Sequence, residues 1–353
     1  MSAVDRRTNP IVGGVILAVA AAIAFGVTTP IVAWAGRDLG AFTTAALLYA
    51  GAAFASVVSR LATKPSSARL RRTDLGRVLL VAVAGGALAP TLLAWGLQRA
   101  GATLGALLLN LEAVFTVVLA RAIYREPIGS RVGFAVAAMA LGGAALTLGA
   151  SRDASWALLG VLAIAGATVA WAIDNTLTRP LAERDPIDVV AAKAGVGAAL
   201  TGAIAVVGGE PLRGWGPVLA LLACGATGYG LSLRLYLLAQ RRIGAGRTGS
   251  VFALAPFIGA GLAYALGDRH PTLWTLGATA LFAVGVYLHV TERHRHAHVH
   301  EPVEHDHVHR HDDGHHLHPH DPPFVGEHAH PHRHDRLEHE HEHAPDVHHA
   351  HPH

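Results

Sequence analysis

Six side chains stand out for the chemistry they could do in an otherwise largely aliphatic chain: Glu112, Trp171, Asp174, Asn175, Lys193 and Arg234. Each charged group among them interrupts an apolar run. An ionisable group at the centre of a bilayer costs about 2.5–3.5 kcal/mol on insertion scales, so each is a candidate for function. Glu112 falls in the middle of its run, with Thr116 one turn further on the same helical face and Asn110 pointing elsewhere. A carboxylate held away from water is well placed to carry a proton; it could equally pair with an arginine or cap broken backbone. Thr168, Trp171, Asp174, Asn175 and Thr178 form a polar stripe at helical spacing, opposite an apolar or small face. Such a stripe must look into protein or a water-filled cavity. Trp171 then either floors a substrate site or packs between helices. Lys193 and Arg234 each sit roughly 10 Å below the same surface at 1.5 Å per residue, with Asp174 a little shallower. Two cations and one anion at similar depth suggest a buried network with one spare positive charge, or with two anions if Glu112 reaches it; a spare cation would favour anionic substrates or amino-acid carboxylates. The rival reading is that both long side chains snorkel to the headgroups.

A second constellation occupies the end of the chain. Of 25 histidines, 23 lie in residues 292–353, interleaved with acidic residues and proline. Its clusters include His294, His296, His298 and His300; His305, His307 and His309; His339, His341 and His343; and His348, His349, His351 and His353. Imidazole with carboxylate and no thiol suits Zn²⁺, Ni²⁺, Cu²⁺ or Co²⁺. The spacing makes many interchangeable weak sites rather than one, and with no apolar mass to bury, the segment is expected to be disordered.

The elements that must position the first group are membrane helices. Of 353 residues 52% are apolar and 15% charged, and the charge of the body lies in short loops between apolar runs. This excludes a disulfide scaffold (there is one cysteine, Cys224), a disordered protein and a nucleic-acid binder. A bilayer-spanning helix needs about 20 apolar residues. Ten runs qualify: roughly 11–35, 41–61, 77–97, 102–122, 132–149, 156–177, 187–208, 217–239, 247–266 and 272–290. Pro186 and Pro271 stand where the seventh and tenth begin, a place that tolerates a missing N–H. Alternate loops carry 18 and five Lys and Arg, which puts both termini in the cytoplasm. Trp34, Trp95, Trp156, Trp215 and Trp274 fall near the other surface, as an interfacial belt would. Pro30, Pro90 and Pro256 lie within spans one, three and nine and can kink them; Gly225, Gly228, Gly230 and Ser232 on span eight read as packing. The stretch 244–249 fits G-x-G-x-x-G, yet a dinucleotide fingerprint needs a strand before it and here spans flank it on both sides, so the match is accidental. With no G-x-S-x-G either, an enzyme is not expected.

Residues 101–122 and 244–265 share Gly101/Gly244, Ala102/Ala245, Leu111/Leu254, Ala120/Ala263 and Ala122/Ala265. Each is the fourth span of a five-span unit. Five is odd, so the second unit is inverted in the membrane, as in many secondary transporters. The stretch 107–146 (LLLNLEAVFTVVLARAIYREPIGSRVGFAVAAMALGGAAL), together with 167–179, 185–198 and 247–260, resembles the EamA-type repeat of the drug/metabolite transporter superfamily. Ala113 departs from it, standing where many first repeats have proline; the second repeat keeps Pro256. The resemblance implies ten helices in two inverted repeats and export or exchange of small metabolites.

The expectation is therefore an all-α membrane protein. Residues 1–10 form a cytoplasmic N-terminus, 11–149 a first repeat, 156–291 a second, and 292–353 a histidine-rich cytoplasmic tail. The function expected is secondary active transport of a small metabolite across the inner membrane, with proton coupling open to Glu112. Two rivals are a divalent-metal exporter whose tail collects its cargo and a membrane-anchored metal buffer or sensor. The partners are the bilayer, a small-molecule substrate and divalent metal ions at the tail. A homodimer is open to it, no nucleic acid is expected, and no cofactor is required.

Overall fold

A computed structural model describes residues 10–63, 68–125, 128–153, 155–181, 184–243, 245–269 and 272–291, with four short backbone segments in the tail. Among the described residues nine helices are long and apolar enough to cross a membrane. They are α1 (Val12–Ala35), α2 (Ala41–Ala62), α3 (Arg72–Ala100), α4 (Ala102–Tyr124), α5 (Ser130–Ala150), α6 (Trp156–Leu181), α7 (Pro186–Val207), α8 (Trp215–Gln240) and α9 (Thr248–Ala265). The tenth expected span, α10 (Leu273–His289), is apolar but shorter. The Thr272 hydroxyl accepts from Thr275 N at 3.1 Å and sets its start, leaving roughly 26 Å of helix against a hydrocarbon core of about 30 Å. Pro271 lies outside the described residues.

Each span of the first half packs on one of the second: α1 on α8, α2 on α7, α3 on α6, α4 on α9 and α5 on α10. Exchanging the halves returns the same set of pairs. Contact is close because small residues face each other. A Cβ on Gly197 of α7 would lie 2.5 Å from the Gly86 carbonyl of α3, which only glycine permits.

Five spans are irregular inside the bilayer. α1 turns at Val27, between helical segments Pro10–Gly26 and Thr28–Ala35. α3 and α8 each contain a seven-residue π-helical segment, Ala82–Leu88 and Gly225–Leu231. α4 breaks at Leu109 and Asn110, where Leu109, Asn110 and Glu112 amides bond three residues back at 3.1–3.2 Å. α9 breaks at Ala253 and Leu254. Pro30, Pro90 and Pro256 each fall just after one of these interruptions, in a first turn that needs no proline N–H. The breaks in α4 and α8 need no proline. α4 is interrupted despite Ala113, and the glycines of α8, expected to be packing residues, also supply a π segment. Such bulges in membrane helices mark places where backbone is re-satisfied by neighbours, frequently at functional sites.

The loop ends are tied across the halves. Glu210 accepts from Phe42 N and Thr43 N (3.3 and 2.7 Å) at the start of α2. Asp268 accepts from Thr103 N at 2.7 Å at the start of α4. Both cap helix N-termini that have no donors' partners of their own. At the other surface Arg60 reaches Asp185 at 2.5 Å and Asp188 at 2.7 Å, and Arg184 reaches Asp74 at 2.8 Å.

Candidate functional site

Asp174 and Lys193 come together. Lys193 Nζ donates to Asp174 Oδ2, and Thr178 Oγ1 donates to Oδ1 at 3.1 Å. The Asp174 side chain is 2% exposed and that of Lys193 21%. The pair lies seven residues from the end of α6 and seven from the start of α7, consecutive antiparallel spans that each pack on the π segment of α3, so opposite charges meet at one depth beside it. A removed charge is tolerable in the interior only when paired and hydrogen-bonded, and Asp174 is both. Room for it exists because residue 85 is glycine: a Cβ there would lie 1.9 Å from Asp174 Oδ2.

Glu112 stands in the first turn after the break in α4, where a negative charge meets the positive end of a half-helix dipole. Its Oε1 accepts from Asn175 Nδ2 at 2.7 Å. Asp174 and Lys193 are within electrostatic range of it. Asn175 is exposed and Glu112 half-buried. Asn110 turns back to donate to the Leu107 carbonyl at 2.8 Å, part of the break rather than of the polar group.

The wall of the group is aromatic. Trp171 Nε1 donates to the Gly85 carbonyl at 3.2 Å, and the Tyr49 hydroxyl donates to the same oxygen. Tyr229, in the π segment of α8, lies 5.6 Å from Tyr49, 5.7 Å from Phe25 and 6.5 Å from Trp171, ring centre to ring centre. Phe252 continues the cluster to Phe25 at 5.6 Å and to Tyr236 at 5.0 Å. These are ordinary aromatic pair spacings. Trp171 is 7% exposed, whereas Trp34, Trp156 and Trp215 are 55%, 64% and 81% exposed and Trp95 and Trp274 are half-buried. Residues from α1 to α4 and from α6 to α9 thus meet at one place. Only the α5–α10 pair stands apart.

Arg234 does not join them, which corrects the expected four-residue network. It lines a cleft of about 170 Å³ between α2, α7 and α8 with Ser56, Ile187 and Leu237, and donates to Ser59 Oγ at 3.3 Å. Equal depth is not proximity. Tyr229 and Tyr236 are seven residues apart and share one face of α8, while Arg234, two residues before Tyr236, falls on the other side. Tyr49, Gly85, Tyr229, Phe25, Phe252 and Tyr236 were not anticipated as site residues, because aromatic and small residues in an apolar span read as core. The signal that could have found two of them is the pair of mid-span tyrosines, Tyr49 and Tyr229, whose hydroxyls need partners in a dry setting.

The metal-binding expectation for His294 to His353 falls on a tail whose side chains lie outside the described residues. Backbone is described there only for His294–His300 with Leu337–His343 and Val303–His309 with His328–His334, as antiparallel two-stranded pairs. Isolated polar pairs of this kind are at best marginal in water, and no site is built on them. Among the described residues no three His, Cys, Asp or Glu side chains form a group that could hold a metal ion.

Comparison with known proteins agrees with the architecture. The model of the EamA-like transporter family matches residues 12–149 and again 158–291. An uncharacterized transporter of Methanothermobacter thermautotrophicus is 29% identical over 209 residues, 56% of this chain and 60% of that one. A solved crystal structure of a protein superposes with a TM-score of 0.57 at 20% identity, covering 78% of this chain and 94% of that one, a likeness of fold alone.

Proposed function

The chain belongs to the EamA-like transporter family, and from that premise we propose that it is a secondary active transporter of the inner membrane, exporting or exchanging a small metabolite against protons carried by Glu112. The observation that carries this reading is the convergence of eight spans, four from each repeat, on one charged and aromatic group centred on Asp174, Lys193, Glu112 and Trp171. A site at the interface of two repeats is reached from either side when one repeat rocks against the other. Broken α4 and α9 and bulged α3 and α8 supply irregular backbone where a cavity needs it. Glu112 is the group suited to proton exchange, since its partner is the neutral Asn175 amide and not a cation. The 18-to-5 bias of Lys and Arg supports cytoplasmic termini, and the 23 tail histidines support a metal-binding appendage there.

Comparison of metabolites inside and outside overexpressing cells identifies the cargo, and flux of that cargo into proteoliposomes under a pH gradient tests the coupling. Glu112→Gln should abolish the response to the gradient while the protein still inserts; an unchanged response removes Glu112 as carrier. Reporter fusions at the C-terminus and in the α7–α8 loop should report opposite compartments, and a C-terminus outside would reverse the orientation.

A further inference from the structure

Arg234 stands away from the central group, in the cleft between α2, α7 and α8. Its side chain leaves α8 six residues before the end of that span, about 9 Å along the helix. Its Nη1 donates to Ser59 Oγ at 3.3 Å, and Ser59 is only three residues from the end of α2. The guanidinium is therefore lifted towards the surface at which α2 and α8 end and α7 begins, where headgroups meet acyl chains. Among the described residues it forms no ion pair.

The carboxylates beside the cleft are already spent. Pro186 and Ile187 line it, and the acids that flank them, Asp185 and Asp188, both accept from Arg60 Nη2, at 2.5 and 2.7 Å. Asp185 also caps α7 by accepting from Ile187 N at 3.0 Å. What remains unspent at this end is a surplus of donors. They are the rest of the Arg234 guanidinium, and Arg60 Nε and Nη1, which are buried with no hydrogen-bonding partner among the described residues. A half-buried cation with only a hydroxyl for a partner is costly until an anion completes it.

The remainder of the cleft is apolar. Ala55, Val190, Leu233, Leu237 and Leu238 wall a volume of about 170 Å³. Leu233 is itself exposed, as are Phe54 and Val57 beside Ala55 on α2 and Leu231 beside Gly230 on α8, so the surface flanking the cleft is of the kind that meets acyl chains. None of the residues lining it belongs to the central group of Glu112, Asp174, Lys193 and Trp171. A soluble anion would meet one cation and an apolar wall. An amphiphile with an anionic head is matched at both ends, and basic pockets between membrane helices on the cytoplasmic side hold anionic headgroups in this way.

We propose that this cleft seats one anionic phospholipid of the leaflet that the loop charge assigns to the cytoplasm, its phosphodiester on Arg234 and Ser59 and the upper part of one acyl chain along Val190, Leu233 and Leu237. The spent carboxylates select an anionic lipid over a zwitterionic one. A phosphodiester neutralises Arg234, whereas an ethanolamine ammonium would find Asp185 and Asp188 held by Arg60. The site is separate from the transport site, and because α2 belongs to one repeat and α7 and α8 to the other, its occupant touches both.

The test is binding to the purified, delipidated full chain in detergent, read by native mass spectrometry. The probes are dioleoyl phosphatidylglycerol, dioleoyl phosphatidylethanolamine and glycerol 3-phosphate, the last a phosphate head without chains. The first phosphatidylglycerol should bind at least about tenfold more tightly than either of the others. Arg234→Gln should weaken it by about tenfold or more, with Arg234→Lys in between. Val190→Phe keeps every charge and fills the wall, and should weaken it by roughly fivefold or more. Arg131→Gln, which removes an exposed arginine at the start of α5, should leave it unchanged. Thermal unfolding without lipid and a monodisperse elution profile show which variants are folded; should Arg234→Gln not fold, Val190→Phe and the three probes decide. Phosphatidylethanolamine bound as tightly as phosphatidylglycerol would overturn the proposal, as would binding unchanged in folded Arg234→Gln or in Val190→Phe. Glycerol 3-phosphate bound as tightly as the lipid would make the ligand a soluble anion, and an equal loss in Arg131→Gln would reduce the effect to general surface charge; either result discards the lipid site.

Discussion

The two repeats have nearly the same irregular backbone and quite different chemistry. Ala82–Leu88 in α3 and Gly225–Leu231 in α8 are π segments of the same length, and the fourth residue of each is a glycine pressed against the first span of the other repeat. A Cβ on Gly85 would strike the Asp174 carboxylate at 1.9 Å, and one on Gly228 would strike Thr28 Cγ2 at 2.0 Å. So the place that holds a buried charge in one repeat holds a threonine in the other. The breaks in α4 and α9 tell the same story: Glu112 follows the first, and Ala255 stands in the corresponding place after the second. Symmetry of the frame lets both repeats bend alike, while asymmetry of charge gives the pair one site with one orientation.

The largest expected effect comes from separating the charge pair. Lys193→Met should destabilise the protein by about 3–5 kcal/mol, because Asp174 is then buried without a partner. Asp174→Asn together with Lys193→Met should recover most of that loss but not transport. Thermal unfolding in detergent for the two single variants and the double variant reads the coupling directly. A double variant as unstable as Lys193→Met alone would mean that the unpaired Asp174 charge is not what destabilises the single variant.

The two π glycines sharpen the comparison next. Gly85→Ala and Gly228→Ala should each cost about 1–3 kcal/mol of overpacking. Only Gly85→Ala displaces a charged group, so only it should also abolish transport at a temperature where both variants are folded. Equal loss of flux in both would say that the bulges matter as hinges and that the charge placed at one of them is incidental.

Smaller effects are expected at the caps. Asp268→Ala and Glu210→Ala each remove a carboxylate from a helix N-terminus at the same surface, and each should cost about 1–2 kcal/mol in thermal unfolding. The smallest effect belongs to the tail. Truncation after Thr291 should leave flux within about twofold, while the isolated 292–353 peptide binds Ni²⁺ or Zn²⁺ in calorimetry, less so below pH ~6.5 as protons compete for imidazole. Loss of all flux on truncation, with insertion intact, would make the tail a carrier of cargo and bring the metal-exporter reading forward.

The architecture was legible early because a membrane imposes it one element at a time. Length, apolarity and loop charge are local properties, and nine of ten expected spans have the required length. The α6 stripe and the depths of Asp174 and Lys193 were legible for the same reason. Depth is set by counting residues at a fixed rise along a single helix. Arg234 shows where such counting stops. Which neighbour it meets depends on the rotation of α8, and the π segment that precedes it shifts that rotation by inserting extra backbone into the turn.

Sequence by itself determined that the chain spans a membrane many times, that it repeats, and which few charges are too expensive to be accidental. Each of these follows from composition and periodicity within one segment. Tertiary structure alone decided that Lys193 belongs to Asp174, that Glu112 is left with Asn175, and that Tyr49, Tyr229 and Trp171 close around them. Those are contacts between different helices, set by crossing geometry and by glycines that let backbones approach. The sign of the site's charge depends on them, because a buried charge takes its meaning from the one partner it meets and not from the total in the chain.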